Sequence, residues 1–304
     1  MIHCNNCPRN CPATRTDTRG FCNAGALLEV ASIAIHKGEE PPLSGEWGVC
    51  NVFFAHCNLQ CCYCQNYEIS RGEVAPSKVF YHSVSEVVDR IAELLPQTEN
   101  IVGLVSPTQY ADSIIPLIDA IHERGLSPTI VYNTNGYERV EILQQLAPYV
   151  DIYLPDFKYM DSDLARRYSS AANYPSVAQQ ALLEMYHQKG ASLPTDDRDI
   201  AFRGMIIRHL VLPGAVQNSI DCLRWIADHL GTRVHLSLMA QYFPPQGVDT
   251  LPEALNRQLT ESEYQQVVDE FYRLGFSRGW VQDLEAAEVF RPDFSQRQSF
   301  QLSS

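Results

Sequence analysis

The stretch Cys57-Asn58-Leu59-Gln60-Cys61-Cys62-Tyr63-Cys64 decides how the rest of the chain is read. Its frame is Cys57-x3-Cys61-x2-Cys64, with an aromatic residue, Tyr63, before the last cysteine. Three thiolates on so short a loop can hold three irons of a [4Fe–4S] cube, which takes four ligands in all. The fourth iron is then open to a small molecule. A disulfide framework is expected in short secreted chains, and Met1-Ile2-His3-Cys4 does not resemble a signal peptide. A structural zinc site takes four protein ligands, usually in two pairs, which this loop lacks.

The composition agrees with an intracellular metalloprotein. Nine of the ten cysteines lie in the first 64 residues, the crowding expected of metal ligation where thiols stay reduced, and a cytoplasmic location follows. The net charge of −13 argues against nucleic acid as a partner, because phosphate-binding proteins concentrate Lys and Arg. No apolar run approaches the roughly 20 residues of a membrane helix. With 304 residues and 45% hydrophobic content, the chain can build one large α/β core and a small appendage.

Upstream of the loop, residues 1–47 read as a cysteine-rich head, Cys4-x2-Cys7-x3-Cys11-x10-Cys22. Four closely spaced thiols can complete a tetrahedral zinc site or carry a second iron–sulfur cluster. Only one Cys-x2-Cys knuckle is present, where structural zinc usually shows two, so the spacing leans to iron–sulfur and leaves zinc open. The run Ala26–Ile35 has no decisive period. His36-Lys37-Gly38-Glu39-Glu40 reads more readily as a solvated loop than as a working part.

Residues 48–304 alternate strand and helix. Strands are expected at 49–55, 101–105, 128–132, 151–154, 204–212 and 233–239, with a further short one near Trp280–Leu284. Capping boxes at Ser83/Glu86 and Thr260/Glu263 open two of the intervening helices. Strands joined by crossover helices make a parallel sheet, and about six units are too few for a closed eight-stranded barrel. The expected fold is an α/β partial (β/α)6 barrel with an N-terminal Cys-rich extension. Ligands of such sheets bind at the carboxyl ends of the strands. Those ends collect Ser106, Thr108, Asn133, Asn135, Asp156, Lys158, Arg208 and Gln241 beside the cysteine loop.

The loop resembles the cluster motif of the radical S-adenosylmethionine superfamily, Cys-x3-Cys-x2-Cys with an aromatic before the last cysteine. Asn133-Thr134-Asn135-Gly136-Tyr137, Asp156-Phe157-Lys158 and Ile207-Arg208-x-x-Val211-x-Pro213-Gly214 resemble turns and a strand of the glycyl-radical-enzyme activases within it. The head, His36–Pro41 and Cys64-Gln65-Asn66 resemble more closely an uncharacterised activase-like branch. The resemblance implies a [4Fe–4S] cluster on Cys57, Cys61 and Cys64, and S-adenosylmethionine held by Tyr63 and the strand-end residues. It also implies a reductant such as flavodoxin or ferredoxin, and radical hydrogen abstraction from a glycyl-radical enzyme, another peptide or a metabolite. An electron-transfer protein without catalysis is the competing class. Ser106-Pro107-Thr108 stands where most members have Gly-Gly-Glu-Pro, and Asn133 stands where the activases have Asp beside a cation site. The extra cysteines precede the loop here, where many two-cluster activases carry theirs after it.

Overall fold

The computed structural model describes residues 3–245, 251–284 and 294. Eight strands hydrogen-bond in chain order: β1 (Val30–His36), β2 (Val49–Phe54), β3 (Ile101–Val105), β4 (Thr129–Thr134), β5 (Ile152–Pro155), β6 (Gly204–Leu210), β7 (His235–Met239) and β8 (Gly279–Val281). β1 is antiparallel to β2, and every later pairing is parallel. All six expected strands are present, and the short one near Trp280 forms β8.

β1 occupies the stretch whose period was undecided, and burial explains why. Its first five residues are all buried, so neither face leaves a polar alternation to read. It lies within residues 1–47, so the sheet runs across residue 47 into the head. β2 and β3 are buried on both faces, which accounts for the unbroken apolar run of β3 and for that of β2, interrupted by the buried Asn51 alone. Gly103 in β3 is required by the side chain of Asn51 in β2: a Cβ there would stand 2.0 Å from Asn51 Oδ1.

The helices are α1 (Pro41–Ser44), α2 (Tyr67–Ser70), α3 (Val84–Leu94), α4 (Ala111–Glu123), α5 (Val140–Leu146), α6 (Ser162–Ser169), α7 (Tyr174–Lys189), α8 (Val216–His229) and α9 (Glu261–Leu274). Both expected N-caps form, but only one of the two expected boxes is reciprocal; at the other, Glu86 accepts from His82 N. Ser83 Oγ accepts from Glu86 N at the start of α3, and Thr260 with Glu263 completes a reciprocal box on α9. The crossover helices press Val87, Ile91, Ile114, Ile118, Leu143, Leu182, Leu223 and Val267 into the core, all buried. At ~25 cal/mol per Å2 of apolar surface, each such side chain contributes about 1.5–3 kcal/mol. This cover aligns the strand ends of β2–β7 toward one cavity. The expected C-terminal tail, residues 285–304, lies outside the described residues apart from Phe294. No helix among the described residues is long and apolar enough to cross a membrane.

Candidate active site

The cysteine loop leaves the end of β2 through His56, whose left-handed φ of 68° turns the chain sharply out of the strand. His56 Nε2 lies 2.7 Å from Glu29 Oε2, which ties that turn to the segment before β1. Cys57, Cys61 and Cys64 then line a cavity of about 480 Å3, a size typical of small-molecule sites.

Each of the three sulfurs accepts hydrogen bonds from a different element. Leu59 N and Asn135 Nδ2 donate to Cys57 Sγ, each at 3.4 Å. Ser169 Oγ, at the end of α6, donates to Cys61 Sγ at 3.0 Å. Ser70 Oγ, at the end of α2, donates to Cys64 Sγ at 3.2 Å. Burial raises the thiol of Cys61 and pushes Cys64 up to about 12. Thiols so placed ionise against a bound cation, and donors already aimed at the sulfurs suit thiolates. The donor set therefore fits an iron–sulfur cluster. Among the described residues no three His, Cys, Asp or Glu side chains converge on a single-ion position. Cluster thiolates bind separate irons and need no such point.

Of the residues expected at the strand ends, Tyr63, Ser106, Asn133, Asn135, Asp156, Lys158, Arg208 and Gln241 line this same cavity. Asp156 and Lys158 face it together, with Nζ to Oδ2 2.6 Å, while Phe157 between them packs on Trp225 in the core. Alternation along an extended segment requires this split. Burial alone would lower the Lys158 amine, but Asp156 outweighs it and holds the amine above its usual range. Tyr63 is buried, and its hydroxyl is bonded to Tyr159 Oη at 2.7 Å. The backbone carbonyl of Gln241 accepts from Gln65 Nε2 at 2.8 Å, which links β7 to the cysteine loop.

Thr108 is not brought to the cavity. Its hydroxyl donates to Glu138 Oε1 at 2.5 Å beneath the Asn133–Tyr137 turn, where Thr134 and Tyr132 also donate to the same oxygen. Burial raises the Glu138 carboxyl to about 7.

Arg208 faces the cavity but is already engaged. Nε and Nη2 donate to the two oxygens of Glu40 at 2.7 and 2.6 Å, and Nη2 also bonds Glu39. Burial would raise the Glu39 carboxyl, but the Arg208 guanidinium pulls it down to about 2. Asn51 Nδ2 adds a bond to Glu39 Oε1 at 2.6 Å. Glu39 and Glu40 are thus interior walls of the cavity, where the sequence suggested a solvated loop. Two adjacent carboxylates look like surface unless their cation, 168 residues downstream, is known to face them. Ser70 and Ser169 were missed for the same reason: nothing local marks a serine that bonds a distant sulfur.

The head cysteines come together on the fold. Cys4, Cys7, Cys11 and Cys22 line one small cavity. Backbone N–H groups point at three of the sulfurs: Arg9 at Cys7, Ala24 at Cys22, and Phe21 at Cys11 across 3.4 Å. Gly20 is needed there, because a Cβ would come within 3.0 Å of Cys11 Sγ.

Comparison with known proteins agrees with this architecture. An uncharacterized protein of Methanocaldococcus jannaschii is 28% identical over 277 residues, covering 88% of this chain and 73% of the relative. The crystal structure of methylornithine synthase (PylB) superposes with a TM-score of 0.52 at 16% identity, over 74% of this chain and 62% of that one. At that identity it speaks for the fold, and the chain spans less than two thirds of its length. A domain of pyruvate-formate lyase-activating enzyme from Bacteroides vulgatus ATCC 8482 reaches a TM-score of 0.39 at 16% identity, over 57% of this chain and 92% of that one, and carries no argument. Residues 51–191 match the family model of the Radical SAM superfamily. Residues 51–191, a little under half of the chain, are thus a Radical SAM domain, and such a domain implies a [4Fe–4S] cluster and S-adenosylmethionine.

Proposed function

We propose that the protein is a radical enzyme whose barrel cavity holds a [4Fe–4S] cluster on Cys57, Cys61 and Cys64, with S-adenosylmethionine beside it. The observation that carries this reading is the meeting of three hydrogen-bonded thiols with Asp156, Lys158, Asn133, Asn135 and Ser106 on one cavity of about 480 Å3. When bound, the two groups together supply a 5′-deoxyadenosyl radical by one-electron reduction of the sulfonium. The chain's own residues bind and orient. Asp156 offers a carboxylate oxygen to cofactor hydroxyls while Lys158 fixes its rotamer. Asn133 and Ser106 supply neutral donors and acceptors for the polar end of the cofactor. Gln241 and Tyr63 stand at the β7 side and beneath the loop. Walls of buried side chains keep bulk water from the reacting atoms.

Substrate choice within this reading is hydrogen abstraction from a glycyl-radical enzyme. It is supported by the residues that resemble the activases, Asn133–Tyr137, Asp156–Lys158 and Ile207–Gly214. A flavodoxin or ferredoxin is the corresponding reductant. Residues 1–47 act as a metal-binding head and residues 48–304 as the barrel body, with β1 of the head completing the sheet.

The test is anaerobic reconstitution with iron and sulfide, reduction, and chromatographic detection of 5′-deoxyadenosine. Product formation that requires Cys57, Cys61 and Cys64 supports the enzyme reading. An intact, reducible cluster that never yields 5′-deoxyadenosine with any candidate substrate points to an electron-transfer protein. A glycyl radical seen by electron paramagnetic resonance on adding a partner enzyme separates the activase reading from other hydrogen abstractions.

A further inference from the structure

Arg9 lies between the two sets of cysteines and is bonded toward both. Its backbone N–H points at Cys7 Sγ. Its side chain crosses to the barrel: Nε donates to Asn58 O at 2.9 Å, and Asn58 is covalently joined to Cys57. Nη2 donates to Ser169 O at 2.9 Å, and Ser169 Oγ donates to Cys61 Sγ at 3.0 Å. The guanidinium is held in this position by the Phe21 ring, 3.7 Å from its carbon, and by Tyr137 at 5.4 Å. Tyr137 O in turn accepts from Asn58 Nδ2 at 2.9 Å. One residue thus links a head cysteine, through its backbone N–H, to the neighbourhood of two barrel cysteines, through its side chain: to Cys57 by way of the adjoining Asn58 and to Cys61 by way of Ser169.

The two cysteine sets also share a local device. In the head, the N–H two residues on is aimed at the sulfur of Cys7 and of Cys22; in the barrel loop the same relation holds for Cys57 and Cys64. Such donors stabilise thiolates. They differ in access. Three of the four head cysteines, Cys4, Cys11 and Cys22, are partly exposed and Cys7 is buried, while in the barrel loop Cys57 and Cys61 are buried and only Cys64 is partly exposed. A protein reductant that cannot enter the barrel can still approach the head.

From this we propose that Cys4, Cys7, Cys11 and Cys22 hold a redox-active iron–sulfur cluster through which electrons enter, and that Arg9 is the positioning residue coupling it to the barrel cluster. The inference rests on the barrel reading above and adds a function for the head. In the step, one electron leaves a low-potential protein reductant of the flavodoxin or ferredoxin class and reduces the head cluster. The same electron then passes to the barrel cluster, reoxidising the head; no bond is made or broken and no proton is consumed. A zinc ion at the head has no such redox chemistry, so the inference commits the head to iron.

The experiment uses the reconstituted full chain, reduced flavodoxin as the electron source, and freeze-quench electron paramagnetic resonance with Mössbauer counting of both clusters. In the wild type the head signal should appear first and decay as the barrel signal rises. Arg9→Met keeps the stem and removes the side-chain hydrogen bonds. It should retain both clusters and slow barrel reduction about tenfold, equivalent to about 1.4 kcal/mol of activation free energy, with head reduction unchanged. Cys11→Ser should lose the head cluster and abolish rapid barrel reduction by flavodoxin, while dithionite still reduces the barrel. Barrel reduction before the head, an unchanged barrel rate in Arg9→Met, or zinc in the natively metallated head would each overturn the inference and leave the barrel reading intact. Should Arg9→Met fail to load, the order of reduction in the wild type decides alone. A barrel that takes up no cluster in the wild type overturns the barrel reading and this inference together.

Discussion

Ser169 Oγ donates a hydrogen bond to Cys61 Sγ at 3.0 Å although the two residues are 108 positions apart in the chain. The same hydroxyl is bonded to Tyr159 Oη at 2.8 Å, so it is held in place from behind. A hydrogen bond to a ligating sulfur stabilises the more negatively charged, reduced cluster. Ser169→Ala should therefore lower the barrel cluster's reduction potential, with iron content unchanged. A redox titration followed by electron paramagnetic resonance checks it, and an unchanged potential would mean that the hydroxyl only packs.

Asp156 and Lys158 differ from an ordinary surface ion pair in facing the cavity together. An exposed pair would contribute at most about 1 kcal/mol, and its loss would be nearly silent. For a cofactor contact the expected outcome differs. Asp156→Asn should weaken S-adenosylmethionine binding to the cluster-loaded protein by about tenfold or more, and Lys158→Ala by less, since Lys158 acts through Asp156. Equilibrium binding on the two variants measures this; wild-type affinity in both would exclude the contact.

Arg208 is the cation for two buried carboxylates. Replacing it by Leu leaves Glu39 and Glu40 inside the barrel with no counter-charge, and breaking such a pair typically costs about 3–5 kcal/mol. Arg208→Leu should lower the urea midpoint strongly, and adding Glu39→Gln and Glu40→Gln should restore much of it. The acid limb of wild-type stability follows from the same site. The Glu39 carboxyl is depressed to about 2, so its contribution is present above the usual carboxylate range and is lost as pH falls toward 2.

Glu138 carries the opposite sign. Burial raises its carboxyl to about 7, so between roughly pH 4.5 and 7 the folded chain keeps a proton that the unfolded chain has released. Stability from this group is full below that window and declines as pH rises through it, by on the order of 3 kcal/mol at most. Glu138→Gln keeps the oxygen that accepts from Thr108 and Thr134, and should flatten this slope. Urea midpoints at pH 5.5 and 8 on both proteins measure the difference; parallel slopes would place the titration elsewhere.

By itself the sequence determined the strand–helix alternation, the two N-caps Ser83 and Thr260, of which only Thr260 with Glu263 closes a full box, and the cysteine loop at the end of β2. These are local: a period of two or 3.6, a Ser or Thr three residues before a Glu, three thiols within eight positions. From the strand order it also determined that Asn133, Asp156, Lys158 and Arg208 would share one end of a sheet, because parallel strands align all their carboxyl ends. Tertiary structure alone decided what depends on packing across long separations. β1 is buried along its first five residues and so carried no period. Glu39 and Glu40 became interior only because β6 delivers Arg208 between them. Thr108 turned from the cavity to Glu138, since a buried carboxyl draws nearby hydroxyl donors to itself. Arg9 reached Asn58 and Ser169 only once the head had folded against the loop, and no pattern along the chain records which backbone carbonyl a guanidinium will find.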